Sequence, residues 1–171
     1  MSASFTQSGN ATSESTFGRK VARFAPYGLS PILLLVALLG AGWLYVPANP
    51  AIQAPATTLG FDELHDLAAS GVIPTTWVQQ NYFGWLGWTL IVVIIALTVA
   101  TAITNHRIVA GALATAGLIS LGFHIFAVKG ALTWGAFMDQ TPNLRVGAYC
   151  AVAGYVLALA LGGLRAARTR S

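Results

Sequence analysis

The 171-residue chain contains 56% hydrophobic and only 8% charged residues, and its mean hydropathy is +0.68. Because a soluble domain carries about a quarter charged residues, this composition excludes a free globular enzyme, a disordered linker and a nucleic-acid-binding domain. The net charge is +4, but the nine basic residues are too scattered to form a patch for nucleic acid. A single cysteine excludes an intramolecular disulfide framework. The sequence therefore indicates an integral membrane protein.

The chain begins with a polar segment. Residues 1–16 are rich in serine and threonine, which predicts a disordered cytoplasmic tail. Residues 17–26 place apolar and basic side chains at helical spacing, which predicts a basic amphipathic segment lying on an anionic lipid surface. Ordinary anchoring by positive charge explains this segment more simply than recognition of a specific lipid. A second basic tail, residues 165–171, ends the chain.

Four uncharged apolar runs are long enough to cross a bilayer, whose hydrocarbon core of about 30 Å requires about 20 helical residues. They are residues 27–46, 84–104, 108–128 and 146–164. The first run is longer than the apolar part of a signal peptide and follows a long polar segment, so we interpret it as a true span. Ser30 followed by Pro31 predicts that its regular helix begins there. The predicted fold is an all-α, up-down bundle of four transmembrane helices.

Basic residues are distributed unequally between the two sides of this bundle. Seven of the nine lie at the termini or between the second and third runs: Arg19, Lys20, Arg23, Arg107, Arg165, Arg168 and Arg170. Lys129 and Arg145 lie on the other side, together with four of the five acidic residues. Cytoplasmic segments carry the excess of basic residues. The sequence therefore predicts a multi-pass protein of the cell membrane with both termini in the cytoplasm.

The first external loop is expected to contain short helices, and the second is expected to lie in the interface. In the first loop, residues 47–83, Phe61, Leu64 and Leu67 share one helical face, which we expect to lie against the membrane or a partner. Tryptophans surround the entry to the second span: Trp77, Trp85 and Trp88. An aromatic belt at headgroup depth explains them more simply than an aromatic ligand cage. The second loop, residues 129–145, is too short and too polar to cross and is predicted to lie in the interface.

Few residues in the predicted spans carry chemistry. His124 is the one histidine or carboxylate inside a span, and such residues are costly in hydrocarbon. A bis-histidine haem needs a second histidine at the same depth, but His106 lies about 27 Å away along the hairpin. We therefore expect no haem or other cofactor, and expect His124 to hydrogen-bond across helices or at the interface. Asp62, His65 and Asp66 have a spacing that could suit a metal, but solvated helices commonly carry such residues, so we predict no metal site and no catalytic residue.

Small residues recur at helix-packing intervals in the third and fourth spans. The predicted packing residues are Ala110, Ala114, Gly147, Ala151, Gly154, Ala158 and Gly162. Small side chains let helix backbones approach closely, which predicts a packed seam between these two spans. The first and second spans instead carry bulky aliphatic ridges, represented by Leu33, Leu34 and Ile94. We predict that these ridges form a partner surface together with the apolar loop face and the tryptophans named above.

In layout and composition the chain resembles the small four-span accessory subunits of cytochrome bc–aa3 respiratory supercomplexes of high-GC Gram-positive bacteria. The likeness includes the Ser/Thr-rich tail, the long Pro/Ala-rich loop, the aromatic entry NYFGWLGW at residues 81–88 and the basic tail RAARTRS. It implies a subunit without haem or copper that contacts subunits of a cytochrome bc1 and oxidase complex as well as the lipid bilayer.

Two classes of function follow. The first is a non-catalytic integral membrane subunit of a larger membrane complex, or a factor that assembles or stabilises it, and we expect this complex to be a respiratory one. The second is a small four-helix membrane enzyme or carrier with a site near the external face around His65 and His124. The absence of buried charge favours the first class, and a polar cavity containing both histidines would favour the second.

Overall fold

The computed structural model describes residues 11–72, 74–104 and 106–168, and these are mostly helical. The helices are α1 (Ala11–Leu39), α2 (Phe61–Ser70), α3 (Trp77–Asn81), α4 (Gly87–Ile103), α5 (Arg107–Lys129), α6 (Trp134–Gln140) and α7 (Val146–Arg168). Two short strands, β1 (Leu44–Val46) and β2 (Thr57–Leu59), pair antiparallel, and a π-helical turn, Tyr82–Leu86, joins α3 to α4. Of the predicted tails, residues 1–10 and 169–171 lie outside the described residues, whereas residues 11–16 belong to α1.

Three helical segments are long and apolar enough to cross a membrane. They are Trp77–Ile103, Arg107–Lys129 and Val146–Arg168. The apolar part of α1, Ala25–Leu39, is a shorter helix. The chain is thus a predominantly helical protein with three candidate membrane spans, which agrees with a multi-pass protein in contact with lipid.

The first apolar run differs from its prediction at both ends. Helix α1 passes through Ser30 and Pro31 without a break, so Ser30 is not an N-cap. Its hydroxyl instead donates a hydrogen bond of 2.8 Å to the carbonyl oxygen of Gly154 in α7. The helix ends at Leu39 rather than at Val46, because two glycines in residues 40–42 disfavour helix and the chain then pairs as β1 with β2.

Side-chain caps begin two of the helices in the loops. The Thr76 hydroxyl accepts from the backbone N–H of Gln79 and starts α3, and the Thr133 hydroxyl accepts from the N–H of Ala136 and starts α6. In α2 the Glu63 carboxylate reaches back to the N–H of Gly60 at 2.6 Å. The first loop therefore contains the short helix expected around Phe61 and a second helix that continues into the span.

Helix α7 is the centre of the packing and contacts α5 most extensively, followed by α1. A Cβ at Gly162 would lie 2.5 Å from the backbone nitrogen of Ala114 and 2.6 Å from the carbonyl oxygen of Ala110. A Cβ at Gly117 of α5 would meet the backbone of Tyr155 and Leu159. Helices α5 and α7 therefore run antiparallel with their backbones in close contact.

The predicted small-residue seam is therefore divided between two partners. Gly162, Ala110 and Ala114 form the α5–α7 contact as expected. Gly154 and Gly147 were assigned to the same seam, and this assignment is wrong. A Cβ at Gly154 would lie 2.6 Å from Cγ of Leu34 in α1, and a Cβ at Gly147 would meet Trp43. Successive small residues wind around a helix, so those at different angular positions face different neighbours. Ala151 and Ala158 are fully buried in α7.

Candidate functional site: a buried tyrosine–histidine chain

The π-helical turn places Tyr82 in the interior. Such a turn adds one residue to the helical register and so changes which side chains face inward. As a result Tyr82 and its neighbour Phe83 are both buried. Gly87 follows, and a Cβ there would lie 2.7 Å from the carbonyl oxygen of Tyr82 and 2.8 Å from the ring of Phe61. Glycine is therefore required where the turn closes beneath α2.

Three buried side chains from three helical segments form one hydrogen-bonded chain. The Tyr82 hydroxyl lies 3.1 Å from Nδ1 of His124 in α5 and 3.0 Å from the hydroxyl of Tyr155 in α7. Both tyrosines are fully buried and His124 is 3% exposed. The prediction that His124 bonds across helices is confirmed by this contact. We refer to Tyr82, His124 and Tyr155 as the buried triad.

Hydrogen-bond direction within the buried triad follows from its donors and acceptors. If Tyr155 donates to Tyr82 and Tyr82 donates to Nδ1 of His124, both phenolic hydrogens are used. The opposite direction leaves the Tyr155 hydrogen without an acceptor inside the triad. The first direction places the imidazole hydrogen on Nε2. The triad is then electrically neutral and satisfied at its centre, which suits its burial.

An aromatic side chain from the segment between α1 and β1 covers the buried triad. Trp43 is 1% exposed, and its ring centroid lies 5.3 Å from that of His124 and 5.2 Å from that of Phe61. Its indole N–H donates to the carbonyl oxygen of Ala37 at the end of α1. Its backbone N–H donates a hydrogen bond to the carbonyl oxygen of Leu59, and its carbonyl oxygen accepts one from the N–H of Arg145. The loop is thus folded back onto the bundle, and Trp43 separates the triad from the loop surface.

The other histidines lie apart from the buried triad. His65 is exposed on α2, and His106 is exposed before α5. The alternative site, with His65 and His124 together, is not formed, because His124 is enclosed beneath Trp43 while His65 is exposed. Among the described residues, no group of three histidines, cysteines or carboxylates lies close enough to hold a metal ion, and this includes Asp62 and Asp66.

The residues expected to meet a partner fall into three groups. Leu34 and Ile94 are fully buried, and Phe61 is 3% exposed, so their prediction as a partner surface is wrong. They fill internal contacts: Leu34 packs against Gly154, and Phe61 packs against Trp43. The half-buried group is Leu33, Leu64 and Leu67. The tryptophans remain exposed: Trp77 at 68%, Trp85 at 59% and Trp88 at 44%.

Sequence reasoning missed Trp43, Tyr82 and Tyr155. Tyr155 had a usable signal, because a phenol in an apolar helix of small residues needs a hydrogen-bond partner when buried. Tyr82 stands in an aromatic run that also suits an interfacial belt, so its burial depends on the π-helical turn. Trp43 was assigned to the first span, although Gly40 and Gly42, which precede it, already disfavour helix.

Comparison of the chain with protein-family models, with curated proteins and with solved structures finds no match.

Proposed function

We propose that this chain is a non-catalytic integral membrane subunit, or an assembly or stabilising factor, of a larger membrane complex. In this proposal α1 is a fourth span, the helices form an up-down bundle in the cell membrane, and both termini are cytoplasmic. The unequal distribution of basic residues supports that orientation.

One observation carries the proposal: an apolar stripe on the outer face of α1. It consists of Ile32, Leu35, Val36 and Leu39, which are 57%, 41%, 44% and 70% exposed. Their spacing of three, four and seven residues places them on one side of the helix. The stripe replaces the predicted ridge around Leu34, which faces inward. We call these four residues the α1 stripe.

The length of α1 favours a protein partner over lipid alone. Its apolar part, Ala25–Leu39, is about 22 Å long at 1.5 Å per residue. A bilayer core is about 30 Å thick, so this apolar part of α1 is shorter than the core. A short span can reduce the mismatch by associating with other helices. A neighbouring subunit packed on the α1 stripe would provide that association.

The interior supports a structural rather than a chemical role. The buried triad bonds within itself, and Ser30 bonds the carbonyl of Gly154. Hydrogen bonds of this kind hold helices together where lipid gives no hydrophobic driving force. The partner that best fits the layout of tails, loop and aromatic entry is a respiratory cytochrome bc1 and oxidase assembly.

The test compares two lipid-accessible faces of the same chain. Ile32→Trp and Leu39→Trp alter the α1 stripe, and Leu118→Trp and Ile119→Trp alter the exposed face of α5 as controls. Each tagged variant is purified from its native membranes in mild detergent, and co-purifying proteins are quantified by mass spectrometry. We expect the α1 variants to lose respiratory subunits while the α5 variants keep them, at equal yield of the chain itself.

Two results would contradict the proposal. The wild-type chain could elute without any membrane subunit above background, or both pairs of variants could lose partners equally. Deletion gives an independent test: the complex should decrease in yield or change in composition, while turnover per remaining complex stays nearly unchanged.

A membrane enzyme or carrier is the second candidate, and the buried triad is the observation that favours it. An intramembrane histidine beside a π-helical turn is typical of functional sites. Tyr155→Phe removes one hydroxyl without opening a large cavity. Loss of a membrane activity in this variant, with yield and co-purification preserved, would favour the enzyme or carrier over the structural subunit.

A further inference from the structure

A groove of about 360 Å³ lies between the first turn of α5 and the last turns of α7. It is lined by Arg107, Ile108, Gly111, Gly163, Ala166 and Ala167. A Cβ at Gly111 or Gly163 would meet nothing within 4 Å, so these glycines leave the groove open instead of bringing the helices together. We call it the hairpin groove, because it lies where α4 and α5 are connected.

The mouth of the hairpin groove is positively charged. Arg107 is the first residue of α5, and the first turn continues with Ile108, Val109 and Ala110. Within the described part of the chain, the side chain of His106 makes no capping bond to this turn. The helix dipole disfavours a cation at this position and favours an anion. An anion at the mouth would meet both the guanidinium and the uncapped backbone N–H groups.

Four of the five acidic residues lie at the other end of the bundle, and the fifth, Glu14, belongs to the first turns of α1. Asp62, Glu63 and Asp66 belong to α2, and Asp139 belongs to α6. Both helices are in the long connections that follow α1 and α5. Arg107 and Arg168 lie at the end with the hairpin groove. Basic residues outnumber the one acidic residue, Glu14, at the end with the hairpin groove, so its charge is complementary to an anionic ligand.

We propose that the hairpin groove binds an anionic phospholipid, with its phosphate at Arg107 and its glycerol and upper acyl carbons along the small residues. The apolar lining favours a lipid over free phosphate, and Ile108, 73% exposed, continues the surface toward the hydrocarbon. Basic pockets between membrane helices bind anionic headgroups in this way. The orientation in the proposed function supplies only the leaflet, since the cytoplasmic one holds the anionic lipids.

The test uses the full purified chain in a neutral detergent, titrated with short-chain phosphatidylglycerol and, separately, with phosphatidylcholine. Bound lipid is measured by native mass spectrometry. Arg107→Gln removes the charge and Gly111→Leu fills the groove. Arg145→Gln at the opposite end and Gly122→Leu, also open around its Cβ on α5, are the matched controls. We expect phosphatidylglycerol affinity to fall about fivefold in Arg107→Gln and clearly in Gly111→Leu, with both controls unchanged.

Each alternative result would reject the site. Equal loss in Arg107→Gln and Arg145→Gln would indicate diffuse charge attraction. An unchanged Gly111→Leu would place the lipid outside the groove, and equal binding of phosphatidylcholine would remove the role of charge. Inorganic phosphate that displaces phosphatidylglycerol at millimolar concentration would identify a free anion as the ligand. None of these measurements depends on co-purified subunits, so failure here leaves the proposed function to its own test.

Discussion

Tyr82 occupies the middle of the buried triad, and this position makes its hydroxyl different from the other two polar groups. It bonds both His124 and Tyr155, whereas each of those bonds only Tyr82 within the triad. A buried polar atom that loses its partner costs more than the bond itself contributed. The three residues should therefore respond unequally to the loss of one atom.

We expect Tyr82→Phe to destabilise the protein more than Tyr155→Phe. The first change leaves both His124 and Tyr155 without a bond to the centre, and the second preserves the Tyr82–His124 bond. The expected losses are about 2 and about 1 kcal/mol in the free energy of unfolding. Unfolding in mixed micelles with increasing SDS measures them. Tyr149→Phe, at an exposed hydroxyl, is the control and should have little effect. Equal losses at Tyr82 and Tyr155 would contradict the central role of Tyr82.

Two adjacent glycines near the end of α7 give a second test at single-residue scale. Gly162→Ala should destabilise by about 1–3 kcal/mol, because the added Cβ meets the α5 backbone at Ala110 and Ala114, which cannot move aside cheaply. Gly163→Ala meets nothing within 4 Å and should be neutral or slightly stabilising. The same unfolding assay compares the two. If Gly163→Ala were the more damaging, the packing of α5 on α7 would be wrong.

At the scale of elements, α7 is a helix with two packing faces rather than one seam. Gly162 allows α5 to approach, and Gly154 receives the Leu34 side chain of α1. The bond from Ser30 to Gly154 fixes α1 at the same level. Helix α1 is therefore attached to α7 by a polar bond and by a side chain fitted against a glycine.

This arrangement predicts that Gly154→Ala is compensated by Leu34→Ala. Alone, Leu34→Ala should cost about 2–5 kcal/mol through the cavity it leaves. Gly154→Ala should also destabilise, because its Cβ would lie 2.6 Å from Cγ of Leu34. The double variant should lose about 1 kcal/mol less unfolding free energy than the sum of the two single losses, because each change makes room for the other. Leu34→Ala with Gly162→Ala should be additive, because Gly162 faces α5. Additivity in both pairs would contradict the contact of Gly154 with Leu34.

The sequence predicted elements that have a long apolar pattern, and it failed where contacts between segments decide. The apolar runs at residues 108–128 and 146–164 lie within α5 and α7, because length and hydrophobicity are local properties. The inward position of Leu34 and Ile94 was not predictable, since helices that are apolar all round show no face in their sequence. The buried triad required the π-helical turn, and the rings of Phe61 and Trp43 pack against Tyr82 in that turn.

At the scale of the whole molecule, polar chemistry and apolar surface are separated. The triad, Trp43 and the Ser30 bond lie inside, and the outward helical faces carry large aliphatic residues such as Ile32, Val92 and Leu118. Most basic side chains lie at one end of the bundle and most acidic side chains at the other. Both distributions are those of a protein in a membrane environment in contact with lipid.

The proposed topology predicts which positions a membrane-impermeant thiol reagent can reach in intact cells. In a Cys150→Ala background, single cysteines replace Ser2, Asp66, His106 or Ser171. With four spans, Asp66→Cys is labelled from outside and the other three react only after lysis. The decisive position is Ser2. If the short apolar part of α1 does not cross, only the three longer segments span the membrane, and the two termini lie on opposite sides. Labelling of both Ser2→Cys and Asp66→Cys in intact cells would therefore reduce the bundle to three spans, whereas protection of Ser2→Cys beside labelled Asp66→Cys establishes α1 as the fourth.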